Sequence, residues 1–201
     1  MKKAILFLAL AMSVSFGFCQ EFGSFTDTRD GKVYKTVIIN QVTWLAENLA
    51  FAPDSGNYWA YDNKEKNVKK FGYLYDWETA MKSCPEGWHL PDAIEWNLLI
   101  MNNGGANAGV KLKASGAFYY DENVEYSYNE SGLGILPAGF YNSEKDEFSN
   151  LKYSSIVWSS ITILENKEMA YAYNFTFSTN EIKQYTSWKT NAYSVRCIKN
   201  Y

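Results

Sequence analysis

Two cysteines, Cys84 near the middle of the 201-residue chain and Cys197 close to its end, constrain the fold more than any other residues. A disulfide between them would close most of the domain into one loop. Such a loop stabilises the folded state by roughly 4–5 kcal/mol, because it restricts the unfolded chain. Whether they are joined depends on the compartment, since disulfides persist in exported proteins and are rare in the cytosol.

The N-terminal stretch has the composition of a secretory signal. Lys2 and Lys3 give it a positive start, and residues 4–14 form an apolar run interrupted only by Ser13. The run is too short for a stable membrane span, and no second one follows it. We therefore predict that residues 1–19 are a signal peptide and that residues 20–201 form one secreted or cell-surface domain without a transmembrane span.

The end of this signal has two interpretations. Cleavage after Cys19 places Gly17 and Cys19 where signal peptidases accept small residues, and it leaves Gln20 as the first residue. The alternative is a lipoprotein in which Cys19 is acylated, but Phe18 then stands where a small side chain is preferred. We favour soluble export and keep a lipid anchor at Cys19 as the alternative.

Export leaves Cys84 and Cys197 as an even pair, which favours a disulfide. Their Cα atoms would then lie about 4.4–6.8 Å apart. Two separate buried thiols are the alternative. A metal site is not favoured, because two cysteines and one histidine at these spacings match no zinc pattern. We expect no metal and no cofactor.

The net charge of the domain is mildly acidic. Removal of the signal takes away Lys2 and Lys3 and no acid, so 17 basic residues remain against 22 acidic ones, a net charge of −5. A chain of this charge without a basic cluster is a poor binder of nucleic acid or anionic membrane. Nucleic-acid partners are therefore not expected.

Two helices are predicted near the middle of the chain. Asp76 has the position of an N-cap for a helix that runs through Lys82. Asp92 begins a second helix, with Glu95 three residues later as in a capping box. Residues 50–70 are predicted to be a solvated loop, and residues 108–116 a helical turn or two.

The strands come from both ends of the domain. Residues 31–48 are typical of a hairpin that turns at Asn40-Gln41 and has Ile38, Val42 and Trp44 on its apolar face. Residues 169–177 alternate aromatic and small or polar side chains with period two, and strands are also predicted near 156–161, 182–188 and 193–198. The fold class is therefore α+β, with two helices flanking an antiparallel sheet.

Five motifs occur in an order similar to that of the Fibrobacter succinogenes major paralogous domain. They are DGKVYKTVIINQVTWLAENL, FGYLYDWETAMKSCPEGWHLPDAIEW, GLGILPAG, VWSS and SVRCIK, within residues 25–199. The chain resembles members of this family, which look like exported or surface-associated bacterial proteins. The resemblance implies a layout similar to C-type-lectin-like folds, with adjacent N- and C-terminal strands. VWSS lacks the Asn-Asp pair of calcium-dependent lectins, so calcium-mediated sugar binding is not implied.

Catalytic motifs are weak. His89 is the sole histidine and has no recognisable nucleophile near it, so a structural role is favoured. Six acids are candidates for a pair that hydrolyses glycosides, which requires two carboxyl groups about 5–10 Å apart. These are Glu47, Glu78, Glu95, Asp121, Glu122 and Glu125. Glu95 already has a capping role, and we expect a protein that is not an enzyme.

Aromatic residues are concentrated in the polar segment 118–128, which suits stacking on sugars or contact with a protein surface. The predicted ligand-binding residues are Tyr119, Tyr120, Tyr126 and Tyr128. The alternative is a loop whose tyrosines cover the sheet. We predict an exported, non-catalytic binding or adhesion module at the bacterial cell surface, with a glycan or a surface protein as partner. The alternatives are a secreted carbohydrate-active enzyme with paired carboxylates and a structural envelope component.

Overall fold

The computed structural model describes residues 20–119 and 123–201, and these contain twelve β-strands and four α-helices. The strands are β1 Glu21–Thr26, β2 Val33–Ile39, β3 Val42–Leu45, β4 Tyr58–Trp59, β5 Leu74–Tyr75, β6 Trp88–His89, β7 Ala138–Asn142, β8 Glu147–Leu151, β9 Ser154–Thr162, β10 Met169–Thr176, β11 Lys183–Trp188 and β12 Ile198–Lys199. The helices are α1 Glu65–Phe71, α2 Trp77–Ser83, α3 Ala93–Asn102 and α4 Gly109–Leu112. The α+β class is confirmed.

The first sheet joins strands from both ends of the described chain, in the order β1-β2-β3-β12-β6. Ile198 of β12 pairs with Trp44 of β3 on one side and with His89 of β6 on the other. The predicted adjacency of N- and C-terminal strands is therefore present. No helix among the described residues combines the length and the hydrophobicity needed to cross a membrane.

The predicted β2–β3 hairpin forms with its turn at Asn40 and Gln41, whose φ angles are 49° and 69°. The apolar face differs from the prediction at one position. The register pairs Val37 with Trp44, whereas Ile38 pairs with Thr43 on the opposite face. Because side chains alternate along a strand, Val37 and Trp44 share the buried face, and Ile38 does not belong to it.

The second sheet has the order β11-β10-β9-β7-β8, and β4 pairs with β5 in a separate two-stranded sheet, so the described strands form three sheets rather than the one predicted. The pairs of the second sheet are antiparallel except for β7 and β9, which are parallel. The two faces of β10 pack in different hydrophobic clusters. Ala170 and Ala172 pack in one hydrophobic cluster, while Tyr173 and Phe175 pack in a second cluster with Trp96 of α3.

Both central helices begin at their predicted caps. The Asp76 side chain accepts from the backbone N–H of Thr79, and Asp92 and Glu95 form a complete capping box. Helix α4 is the predicted helical turn. Helix α1 shows that the prediction of a solvated loop for residues 50–70 was wrong at its C-terminal end. Val68 and Phe71, three residues apart on one face of this lysine-rich helix, are buried against the body of the domain.

The predicted disulfide is present. Cys84 directly follows the last residue of α2, Cys197 directly precedes β12, and their Cα atoms lie 5.8 Å apart. Cys197 is fully buried. The bond therefore fastens the end of a central helix to the start of β12, an interior strand of the first sheet.

Candidate functional site

Hydrogen bonds hold residues 114–119 and 123–128 against the rest of the domain. The N–H of Tyr119 donates to the carbonyl of Lys152 at 2.7 Å, and that of Tyr128 donates to Val110 at 2.9 Å. The side-chain amide of Asn180 donates to the carbonyl of Glu125 at 2.9 Å. An irregular, polar stretch is thereby fixed at three positions to separate parts of the domain.

Tyr119 belongs to a cluster of three rings. It stacks on Tyr153 with ring centroids 5.1 Å apart, and Phe177 lies edge-on to Tyr119 at 5.6 Å and to Tyr153 at 5.4 Å. Tyr119 is nevertheless 56% exposed. One part of the ring is therefore held by aromatic neighbours while another part remains open to a ligand.

Tyr126 and Tyr128 form a second aromatic pair. Their rings meet edge to face with centroids 5.5 Å apart, and they are 43% and 59% exposed. The hydroxyl of Ser115 lies 3.4 Å from the hydroxyl of Tyr126. Both tyrosines present apolar ring surface with a hydroxyl at its edge, which suits a ligand that carries hydroxyl groups.

A cavity of about 360 Å³ lies between these groups, and we call it the aromatic groove. Its lining residues are Lys113, Gly116, Phe118, Tyr119, Val124, Glu125, Tyr126, Ser127 and Phe177. The volume falls within the range of about 300–1,000 Å³ that is usual for small-molecule sites. The groove thus combines apolar rings with a few polar groups, as ligand sites do.

Lys113, the residue after α4, contributes a buried cation to the groove. Its ammonium group donates to the carbonyls of Thr176 and Thr179, both at 3.2 Å, and lies 5.3 Å from the centre of the Phe118 ring. The residue is only 3% exposed. Burial disfavours the charged form and lowers the pKa of Lys113 to about 8.

The predicted binding residues divide into three groups. Tyr119 and Tyr126 line the groove, Tyr128 lies beside Tyr126, and Tyr120 lies outside the described residues. Sequence reasoning missed Lys113 and Phe177 as groove residues. Phe177 was recognisable only as the last aromatic of the period-two pattern in residues 169–177. Lys113 was visible only as a lysine among apolar residues.

Comparison with known protein families gives a match over most of the chain. The model of the Fibrobacter succinogenes major domain matches residues 37–199. The chain belongs to this family. No curated protein and no solved structure matches it. The C-type-lectin-like layout implied by the resemblance therefore stays a prediction.

The motifs that carry the resemblance to the Fibrobacter succinogenes major domain supply the interior of the fold. Trp44, Trp88, Trp96 and Trp158 are all buried. Trp96 and Trp158 also donate from their indole nitrogens to backbone carbonyls. The segment around residues 114–128 lies between the second and third motifs, so the residues that line the groove lie outside the motifs that form the interior.

Two of the candidate carboxylates, Glu95 in α3 and Glu47 just after β3, have structural partners. Glu95 accepts from the backbone N–H of Asp92 at 2.7 Å, and its other oxygen lies 3.0 Å from Nε2 of His89. Glu47 accepts from the backbone N–H of Lys35 at 2.7 Å. Both side chains therefore have structural roles, because their carboxylates make these bonds.

The remaining candidate acids lie in different places. Glu78 is within 3.5 Å of the ammonium of Lys189, and Glu125 lines the aromatic groove. Asp121 and Glu122 lie outside the described residues. Within residues 20–119 and 123–201, no group of three or more His, Cys, Asp or Glu side chains is arranged to hold a metal ion.

Proposed function

We propose that this chain is an exported, non-catalytic binding module at the bacterial cell surface and that its aromatic groove holds a glycan. The observation that carries the proposal is the pair of exposed rings, Tyr119 and Tyr126, on one cavity of about 360 Å³. Sugar rings have apolar faces that stack on aromatic side chains and hydroxyl edges that need polar partners. Tyrosine offers both, and it has little rotamer entropy to lose on binding.

The scaffold we propose for this module is C-type-lectin-like. Three features support the proposal, namely the pairing of β3 with β12, the two helices α2 and α3, and the disulfide from Cys84 to Cys197. On such a scaffold the groove lies in a long excursion between the second central helix and the C-terminal strands. Loops held on rigid scaffolds commonly carry recognition.

Export is supported by the disulfide and by the family, both of which are compatible with an extracellular protein. We propose that residues 1–19 direct it and are then removed, with acylation of Cys19 as the alternative. A cell-surface or secreted binder would meet glycans of neighbouring cells or of the environment.

A glycan-array screen of residues 20–201 tests the proposal. We expect at least one class of glycan to bind, and we expect the double variant Tyr119→Ala/Tyr126→Ala to lose that binding while its melting temperature stays within a few degrees of wild type. Tyr201→Ala is the matched control, because Tyr201 is 91% exposed and does not line the groove.

Two other results would redirect the assignment. If no glycan binds, the groove is not a glycan site, and a protein partner or a structural role in the envelope becomes the better hypothesis. If a bound glycan is cleaved, the chain is a carbohydrate-active enzyme, and Glu125→Gln is the first variant to make, because Glu125 is the carboxylate of the described residues that lines the groove.

A further inference from the structure

We propose that the aromatic groove takes an acidic glycan and that the ammonium group of Lys113 binds its carboxylate. This inference rests on the proposed function, because it names the class of glycan that the same groove would hold. It is carried by the position of Lys113, by its hydrogen bonds and by the charges around it.

The position of Lys113 makes its ammonium the most deeply buried charge on the groove. The residue lines the cavity but is only 3% exposed, whereas Glu125 is exposed. An ammonium group has three N–H donors. Within the described part of the chain, two of them are accounted for by the carbonyls of Thr176 and Thr179, each at 3.2 Å.

The charge of Lys113 has no counter-ion among residues 20–119 and 123–201. Five other lysines lie 3.8 Å or less from a carboxylate, namely Lys64, Lys111, Lys145, Lys183 and Lys189. For Lys113, burial lowers the pKa to about 8, and no described carboxylate opposes this effect. A buried charge that no described carboxylate neutralises is costly, so a ligand that brings a negative charge gains more here than at an exposed lysine.

Glu125 then sets the orientation of the ligand. Its exposed carboxylate on the same cavity repels a second negative charge, which favours neutral rings on that side. We therefore place the ligand carboxylate at the buried side, against Lys113, and the neutral sugar rings towards Tyr119 and Tyr126. A glycan that ends in one acidic sugar, such as a uronic or sialic acid, has this distribution of charge.

A purely structural role for Lys113 makes a different prediction. In that case its ammonium would only fasten the segment between β10 and β11 through Thr176 and Thr179. Replacement of Lys113 would then weaken charged and uncharged ligands equally. Pairs of glycans that differ only in charge separate the two roles.

The experiment compares oligosaccharides ending in glucuronic acid, galacturonic acid or N-acetylneuraminic acid with their methyl esters, by calorimetric titration of residues 20–201. We expect an acidic member to bind about tenfold or more tightly than its ester. This preference should disappear in Lys113→Met. It should persist in Lys111→Met, because Lys111 is exposed and pairs with Glu130 at 3.5 Å.

The outcomes are distinct. If an ester binds as tightly as its acid, or if Lys113→Met keeps the preference, the inference is wrong while the proposed function stands. If no acidic or neutral glycan binds, both the inference and the proposed function are wrong. Should Lys113→Met fail to fold, an NMR titration of Lys113 in the wild-type protein decides. We expect its pKa to rise when the acidic glycan is added, and an unchanged pKa would overturn the inference.

Discussion

Nε of Arg196 donates to the Oδ1 atom of Asn48 at 2.7 Å, across 148 positions of sequence. The same guanidinium donates to three backbone carbonyls, those of Leu45 at 3.1 Å, Leu133 at 2.7 Å and Gly134 at 2.9 Å. The side chain of Arg196 is fully buried. One residue therefore joins the loop after β3, the segment before β7 and the C-terminal end of the fold.

Replacement of Arg196 by Met should lower the free energy of unfolding by about 3–5 kcal/mol, because it leaves several buried acceptors without a donor. Arg196→Lys should not rescue it, since an ammonium cannot reproduce the planar fork of donors. Urea denaturation of both variants measures the effect. Lys199→Met, at an exposed position of β12, is the control, and a loss below about 1 kcal/mol in Arg196→Met would contradict the assignment.

The disulfide should contribute to the free energy of unfolding by an amount similar to that of Arg196. Cys84 and Cys197 are separated by 113 residues, and a closed loop of that size restricts the unfolded chain by roughly 4–5 kcal/mol. We expect Cys84→Ala/Cys197→Ala to lower the urea midpoint by a matching amount. Reduction of the wild-type protein should reproduce the shift. If reductant leaves the midpoint unchanged, the bond is absent in solution.

Local sequence signals predicted local structure well. The caps at Asp76 and Asp92 lie within three residues of the N–H groups they accept from, so a short sequence contains both partners. The turn at Asn40 was recognisable for the same reason. The period-two pattern of β10 predicted a strand because it depends only on the alternation of side chains.

Features that depend on distant partners could not be predicted. Helix α1 forms in a polar stretch because burial of Val68 and Phe71 outweighs a composition typical of loops. The role of Arg196 could not be predicted from its position in the SVRCIK motif, because its four acceptors lie 62–151 residues away. Lys113 was missed as a groove residue for the same reason, because Thr176 and Thr179 reach it only in the folded chain.

Lys113 should make stability depend on pH in a defined window. Its pKa is lowered from 10.5 to about 8 on folding, so below about pH 8 both states are protonated and no slope arises. Between about pH 8 and 10.5 the unfolded chain binds more protons than the folded one, so the free energy of unfolding rises with pH. Lys113→Met lacks this contribution.

The measurement is the free energy of unfolding of wild type minus that of Lys113→Met, from about pH 6.5 to about pH 9.5. The difference should be flat at first and then increase by on the order of 1–2 kcal/mol. The subtraction removes the titration of the buried tyrosines, which both proteins share. Lys111→Met is the exposed control, and a flat difference for Lys113→Met across the whole range would show that Lys113 is not buried as a cation.

The β2–β3 turn provides a stabilising substitution. Asn40 and Gln41 have φ angles of 49° and 69°, the left-handed region that both central residues of a type I′ turn require. Asparagine tolerates this region because its short polar side chain bonds locally, whereas glutamine bears the full steric cost of about 1–2 kcal/mol. Gln41→Gly removes that cost and loses about 0.5–1 kcal/mol to the greater freedom of glycine in the unfolded chain.

The net gain for Gln41→Gly is therefore about 0.5–1 kcal/mol, which corresponds to a rise of about 1–4 °C in Tm for a domain of this size. Asn40→Gly is the matched control in the same exposed turn. We expect it to lower the free energy of unfolding by about 0.5–1 kcal/mol, because asparagine bears little steric cost there and only the greater freedom of glycine remains. Scanning calorimetry of the wild type, Gln41→Gly and Asn40→Gly measures these changes in Tm. A lower Tm for Gln41→Gly would mean that the side chain of Gln41 makes a stabilising contact that outweighs its backbone strain.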